Sequence, residues 1–307
     1  MSVPRVHRRS LLIGSASIAL STSFRGAVAQ QAQGPLQQLE ALEARAVRAG
    51  MPAPRAAPTP VEEPESYREL RPRLLDLMDG ARGPAKDVSD EAEELFLRLH
   101  RQERSYAPAE DPEGRARPAP SFDSVKAEYR QLFDACTIVP KYQRLVDKDV
   151  EKLKGFRPRY EKVGSPMGIP WHFIGIIHSM EAGFSFKTHL HNGDSLAART
   201  VLIPDGRPEV WNPPNDWESS AADAMLIKRY NAQEDWSLER ILYRWEQYNG
   251  WGYRGKVNSP YLWSFTNQYT RGKYVRDRVW DANAVSQQTG AVTLLMGLIQ
   301  AGEVPKP

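Results

Sequence analysis

One acid in this chain sits where water solvates it poorly. Glu181 closes most of an apolar run with helical spacing, residues 168–186, GIPWHFIGIIHSMEAGFSF, which breaks at Gly183. Counting back by threes and fours puts Glu181 on one face with His178, Ile177 and Ile174, while Phe173, Ile176 and Met180 extend the apolar surface around it. Such surroundings are expected to raise a carboxyl pKa toward the range where it donates a proton near neutral pH. Proton donation to a leaving oxygen is the chemistry of glycoside cleavage. The competing reading is a carboxylate that caps the helix end or pairs with a neighbouring Arg or His.

A second acid, Asp194, follows in the run His189-Leu190-His191-Asn192-Gly193-Asp194-Ser195. At roughly 6.5–9.5 Å from Glu181 its carboxylate could activate water for inverting hydrolysis. Asn-Gly-Asp is equally strong turn chemistry, so an Asx-turn role stands beside the catalytic one. His189 and His191, with His178 and Asp194, could instead converge on zinc and serve a wall peptidase or amidase that uses Glu181 as base. No His-Glu-x-x-His pattern accompanies them, and histidines of a loop also serve simply to hydrogen-bond it together. Neither a metal nor an organic cofactor is assigned, since no phosphate-cradling Gly-rich loop follows an expected strand.

The tract 245–269 is dense in aromatic residues and glycine, with Tyr248, Trp251, Tyr253, Tyr261, Trp263 and Tyr269. Rings with polar tips offer a face to sugar C–H groups and a hydroxyl to sugar oxygens, although core packing claims many such rings. The expected substrate-binding set is His178, His191, Tyr248, Asn249, Tyr261 and Tyr269. Arg254 and Lys256 are expected to be exposed charges able to orient an anionic glycan.

The elements that must position these groups are mostly helical. Pro170 suits the first position of the Glu181 helix and Gly183 its left-handed stop. Helical spacing also marks 67–78, 89–101, 121–136, 141–154, 217–230, 237–248 and 283–301, with one short strand signal at 200–203 before the Pro204-Asp205-Gly206 turn. The expected fold class is mainly α (α+β): a helical domain over 121–307 with a small loop or β insertion. Residues 30–120 read as a Pro/Ala-rich linker region whose short helices either form a loose helical pair or dock on the main domain, the competing reading being a tether or spacer.

Three segments together resemble the lysozyme-like superfamily, in particular lytic transglycosylases and goose-type lysozymes. They are the helix ending at Glu181, the Gln247-Tyr248-Asn249-Gly250 segment, and the tract from Ser259-Pro260-Tyr261-Leu262-Trp263 through Tyr269 and Tyr274. The resemblance covers about residues 122–300. It implies a lysozyme-like domain, Glu181 as general acid, Asp194 in the place of the goose-type second acid, and Tyr248, Asn249 and Tyr269 near the sugar. The implied activity is cleavage of the β-1,4 bond between N-acetylmuramic acid and N-acetylglucosamine, as hydrolase or lytic transglycosylase, with peptidoglycan glycan strands as partner. A non-catalytic glycan-binding module on the same fold is the alternative that needs no acid. The chain departs from the transglycosylase pattern at 189–195, where those enzymes carry Gly-Leu-Met-Gln.

Residues 1–29 read as an export signal: Arg8-Arg9 opens the mildly apolar run Ser10-Leu11-Leu12-Ile13-Gly14, and Ala27-Val28-Ala29 supplies the small-x-small cleavage pattern. Paired arginines before a weak apolar core resemble a twin-arginine signal, so the expected destination is the periplasm or the exterior. That segment carries four arginines and no acid, so its removal turns the formal charge from +3 to −1. Such a balance gives no case for nucleic-acid binding. No later run is long and apolar enough to span a membrane. Cys136 is the only cysteine, so no internal disulfide supports the domain.

Overall fold

Helix α5 (Trp171–Ala182) is the axis of the main domain, and it is apolar enough to be surrounded: every residue from Phe173 to Ala182 is buried. The computed structural model describes residues 34–52, 70, 73–74, 76–78, 85–103, 118–202, 204–211, 216–276 and 279–307. The expected export signal, 53–69 and 104–117 lie outside these residues. Among them the fold is mainly helical, with α1 (Pro35–Arg48), α2 (Lys86–Glu103), α3 (Phe122–Asp134), α4 (Gln143–Gly164), α5, α6 (Trp217–Ile227), α7 (Leu238–Asn249), α8 (Pro260–Trp263) and α9 (Ala291–Gln300). One antiparallel hairpin, β1 (Lys273–Arg276) with β2 (Val279–Asp281), pairs Tyr274 with Trp280.

Pro170 serves as the N-cap of α5 rather than its first turn, and Gly183 at φ 56° ends the helix in the left-handed region. Phe173, Ile174, Ile176, Ile177 and Met180 are each at most 1% exposed. Burying a side chain of this size stabilises by roughly 1.5–3 kcal/mol, so α5 is held chiefly by its packing. Phe173 stacks on Trp245 of α7 with ring centroids 5.8 Å apart and meets Tyr230 and Trp236 edge-on. Helix α4 runs against α5 and packs tightly at Gly175, where a Cβ would lie 2.8 Å from Tyr160 Cε2 and 2.9 Å from Leu153 Cδ2.

Helix α4 continues ten residues beyond the expected end at 154, through Pro158, because Tyr160 and Val163 enter the core. The interior proline gives up one backbone bond, a cost that this burial offsets. The expected strand at 200–203 is absent at Thr200, Val201 and Leu202. Their amides are taken elsewhere, by the Arg207 carbonyl for Thr200 and by the Asp194 carboxylate for Val201 and Leu202. The hairpin instead lies at 273–281, where the sequence suggested a continuation of the Tyr-rich tract. The helix expected over 283–301 begins only at Ala291.

Residues 34–103 contain more than a tether. Leu39, Leu42, Leu70, Leu74, Val88, Ala92 and Phe96 form a small core of their own, and Arg45 of α1 pairs with Asp87 and Glu91 of α2. This unit also touches the main domain. Glu93 accepts from the Ser185 hydroxyl at 2.5 Å and pairs with Lys187, which reaches Asp90 at 2.9 Å as well. Among the described residues no helix is long and apolar enough to cross a membrane.

Candidate active site at the end of helix α5

Glu181 is 4% exposed, one residue from the end of α5. Its Oε1 accepts a hydrogen bond from the Tyr261 hydroxyl at 3.1 Å. Tyr261 comes from the one-turn helix α8, which begins at Pro260 after the N-cap Ser259. Tyr261, expected among the substrate-binding residues, is thus placed directly against the acid. Gly290 lies against this turn, and a Cβ there would fall 2.5 Å from the Leu262 carbonyl oxygen. Gln288 adds a bond from its Nε2 to the Met180 carbonyl, tying the segment before α9 to the α5 end.

Lys228 is a neighbour that no motif singled out. It follows α6 directly and is exposed, with its ammonium 5.2 Å from the centroid of the Tyr248 ring. Desolvation lowers its pKa, and Glu181, when ionised, works in the opposite direction. Tyr248 in turn donates its hydroxyl to the Leu190 carbonyl at 2.8 Å. Glu181 thus has Tyr261 as a hydrogen-bond partner and Lys228 as an electrostatic neighbour, and Lys228 lies over Tyr248, which reaches Leu190. Asn249 closes α7 beside Tyr248, and its Nδ2 is buried without a hydrogen-bond partner.

Several of the other expected site residues are held in hydrogen bonds within the protein. His178 is fully buried, with Tyr160 3.0 Å from Nδ1 and the Ser185 carbonyl 2.9 Å from Nε2. A carbonyl only accepts, so Nε2 carries the hydrogen. Burial pushes its pKa down to about 3, leaving a neutral ring whose Nδ1 accepts from the Tyr160 hydroxyl. With both nitrogens committed and no exposure, His178 braces the site from behind and is not placed to touch substrate. Tyr269 is also held in structure: its hydroxyl donates to the Gly272 carbonyl and accepts from the Ser286 amide.

Asp194 is 6% exposed, and its Oδ2 accepts from the amides of Val201 at 2.8 Å and Leu202 at 2.9 Å. Its own amide donates to Asn192 Oδ1, the Asx-turn geometry expected of Asn-Gly-Asp. Its carboxylate therefore organises the insertion. His189 gives Nε2–H to the Ala198 carbonyl and meets the Ser220 hydroxyl at Nδ1. His191 bonds through Nε2 to Asp223, which also binds Arg207, while its Nδ1 is buried without a partner. Burial lowers the His191 pKa against the pull of Asp223. No group of three or more His, Cys, Asp or Glu able to hold a metal ion occurs among the described residues.

Arg254, expected as an exposed charge, is instead pinned between two acids. It binds Glu246 through Nε at 3.0 Å and Nη2 at 2.5 Å, and Glu128 through Nη1 at 2.7 Å. Tyr129 donates its hydroxyl to the same Glu246, whose carboxyl pKa burial pushes up while Arg254 pulls it down. This network lines a cleft of about 460 Å³, and a second, of about 420 Å³, lies beside Arg207 and Asp223; Glu181 lines neither. Compared with protein-family models, with curated proteins and with solved structures, the chain gives no match in any of the three.

Proposed function

We propose that this chain cleaves the β-1,4 bond between N-acetylmuramic acid and N-acetylglucosamine in peptidoglycan glycan strands, on a lysozyme-like domain, with Glu181 as general acid. The observation that carries the reading is Glu181 itself: a 4% exposed carboxyl at the end of an apolar helix, with the Tyr261 hydroxyl on one oxygen and a cation nearby. In the first step the Glu181 proton passes to the glycosidic oxygen as the C1–O bond breaks, leaving an oxocarbenium-like sugar and a Glu181 carboxylate. Tyr261 and Lys228 then face a negative charge that was absent before the step. Groups that meet charge only as it develops lower the barrier rather than the ground state.

The engagement of Asp194 with two backbone amides favours a route with a single carboxyl. In that route the Glu181 carboxylate takes the proton of the muramic C6 hydroxyl while its oxygen bonds C1, giving a 1,6-anhydro product. Mass spectrometry of digested cell walls tests this reading. Anhydro-muropeptides released by the wild-type chain and lost in Glu181→Gln, with wall binding retained, are the expected result. Undiminished release by Glu181→Gln overturns the catalytic assignment, and reducing-end products would assign hydrolysis instead. Wall binding without release by the wild-type chain would leave the glycan-binding module.

A further inference from the structure

The turn that follows Glu181 is held from outside the main domain. Gly183 at φ 56° and Phe184 at φ 72° are consecutive left-handed residues, and an aromatic L residue keeps that conformation only where its surroundings impose it. Ser185, the next residue, is 2% exposed and is a junction. Its carbonyl accepts from His178 Nε2, one turn back along α5 from Glu181, and from the Thr188 hydroxyl, where the 189–195 loop begins. Its hydroxyl accepts from the Lys187 amide and donates to Glu93 of α2, a carboxylate 7% exposed. The bond partners of Ser185 are thus the Glu181 helix, the loop beyond it, and the small N-terminal core.

We propose that the α1–α2 unit is a built-in clamp for the catalytic turn, with Glu93 as a positioning residue acting on Glu181 through Ser185. The clamp function rests on the reading of Glu181 as proton donor. The buried Glu93–Ser185 bond carries it, since the accompanying Lys187 pairs lie on a side chain 61% exposed and contribute little. Glu93 touches no substrate. It fixes the height and direction at which α5 ends, and small misplacements of a catalytic group lower turnover steeply.

The test uses the whole chain with Glu93→Ala, Ser185→Ala and Glu93→Gln, read by wall digestion and by hydrogen exchange. Either alanine variant is expected to lower kcat about tenfold while KM stays within about twofold. Amides 183–188 should exchange about tenfold faster, with those of α3 and α7 unchanged. Glu93→Gln keeps an oxygen for the Ser185 hydroxyl and should recover most of the turnover, which a role through charge alone would not allow. Unchanged kcat in both alanine variants overturns the positioning role, as does unchanged exchange at 183–188. Should Glu93→Ala not fold, Ser185→Ala makes the same measurement from the other side of the bond. If the wild-type chain cleaves no glycan, the Glu181 reading fails, and the exchange measurement alone decides whether Glu93 holds the turn.

Discussion

Acid should weaken this protein through His178, by an amount that follows from its place behind the site. The ring is fully buried and neutral, its pKa pushed from 6.5 to about 3 by desolvation. Below pH 6.5 the unfolded chain takes up a proton that the folded chain refuses, so stability is lost as pH falls from 6.5 toward 3. Between pH 7 and pH 5 the linkage relation gives a loss of about 2 kcal/mol from this one residue, growing to about 5 kcal/mol below pH 3. Replacing His178 by Gln removes the titration while keeping an N–H for Ser185 and an oxygen near Tyr160. Urea unfolding at pH 7 and pH 5, followed by tryptophan fluorescence, separates the two contributions. Gln lowers stability at both pH values, yet the decrease between them should be about 2 kcal/mol smaller than in the wild type. Equal decreases in the two proteins would refute the argument, because then His178 bears no proton difference between folded and unfolded states.

Tyr261→Phe removes the hydroxyl that donates to Glu181 Oε1 and should lower kcat about tenfold with little change in urea midpoint, a magnitude typical of a single hydrogen bond to a charged group. Asp194→Ala leaves the amides of Val201 and Leu202 without their acceptor and should cost about 1–3 kcal/mol, whereas Asp194→Asn keeps an oxygen and most of the activity. If Asp194→Asn abolishes glycan cleavage with the fold intact by circular dichroism, Asp194 is a second catalytic acid after all. Gly290→Ala drives a methyl into the Leu262 backbone and should destabilise by about 1–3 kcal/mol while displacing Tyr261, so stability and kcat fall together.

The parts of this structure legible in the sequence are those governed by local pattern. The α5 span could be read because an apolar run, a proline and a glycine coincide with its ends. Glu181 was legible by type but its burial on all sides was not, since helical spacing shows one face and cannot say that other helices cover the rest. Lys228 went unread: a lysine after a helix carries no local signal, and only the fold brings its ammonium over Tyr248 and within electrostatic reach of Glu181. The expected strand is absent at 200–202 for a similar reason, as Val-Leu composition cannot reveal that Asp194 takes two of its amides. Arg254 was misread because an arginine in a Gly-rich tract gives no hint of the distant acids Glu128 and Glu246. The N-terminal region looked like linker because its prolines dominate the composition, while its leucines are spread over three short segments that only tertiary packing unites.

Gly175 carries a consequence for anyone who looks for the active site by random mutation. It lies six residues before Glu181, about 9 Å along the helix axis, with no polar atom of its own beyond the backbone. Yet a side chain there would strike Tyr160, the residue that holds His178, and Leu153, pushing α4 and α5 apart. A screen for lost activity should therefore return substitutions at Gly175 alongside those at Glu181. They would differ in one respect: the first group would also be heat-sensitive, because the glycine sets the distance between two helices and Glu181 sets none.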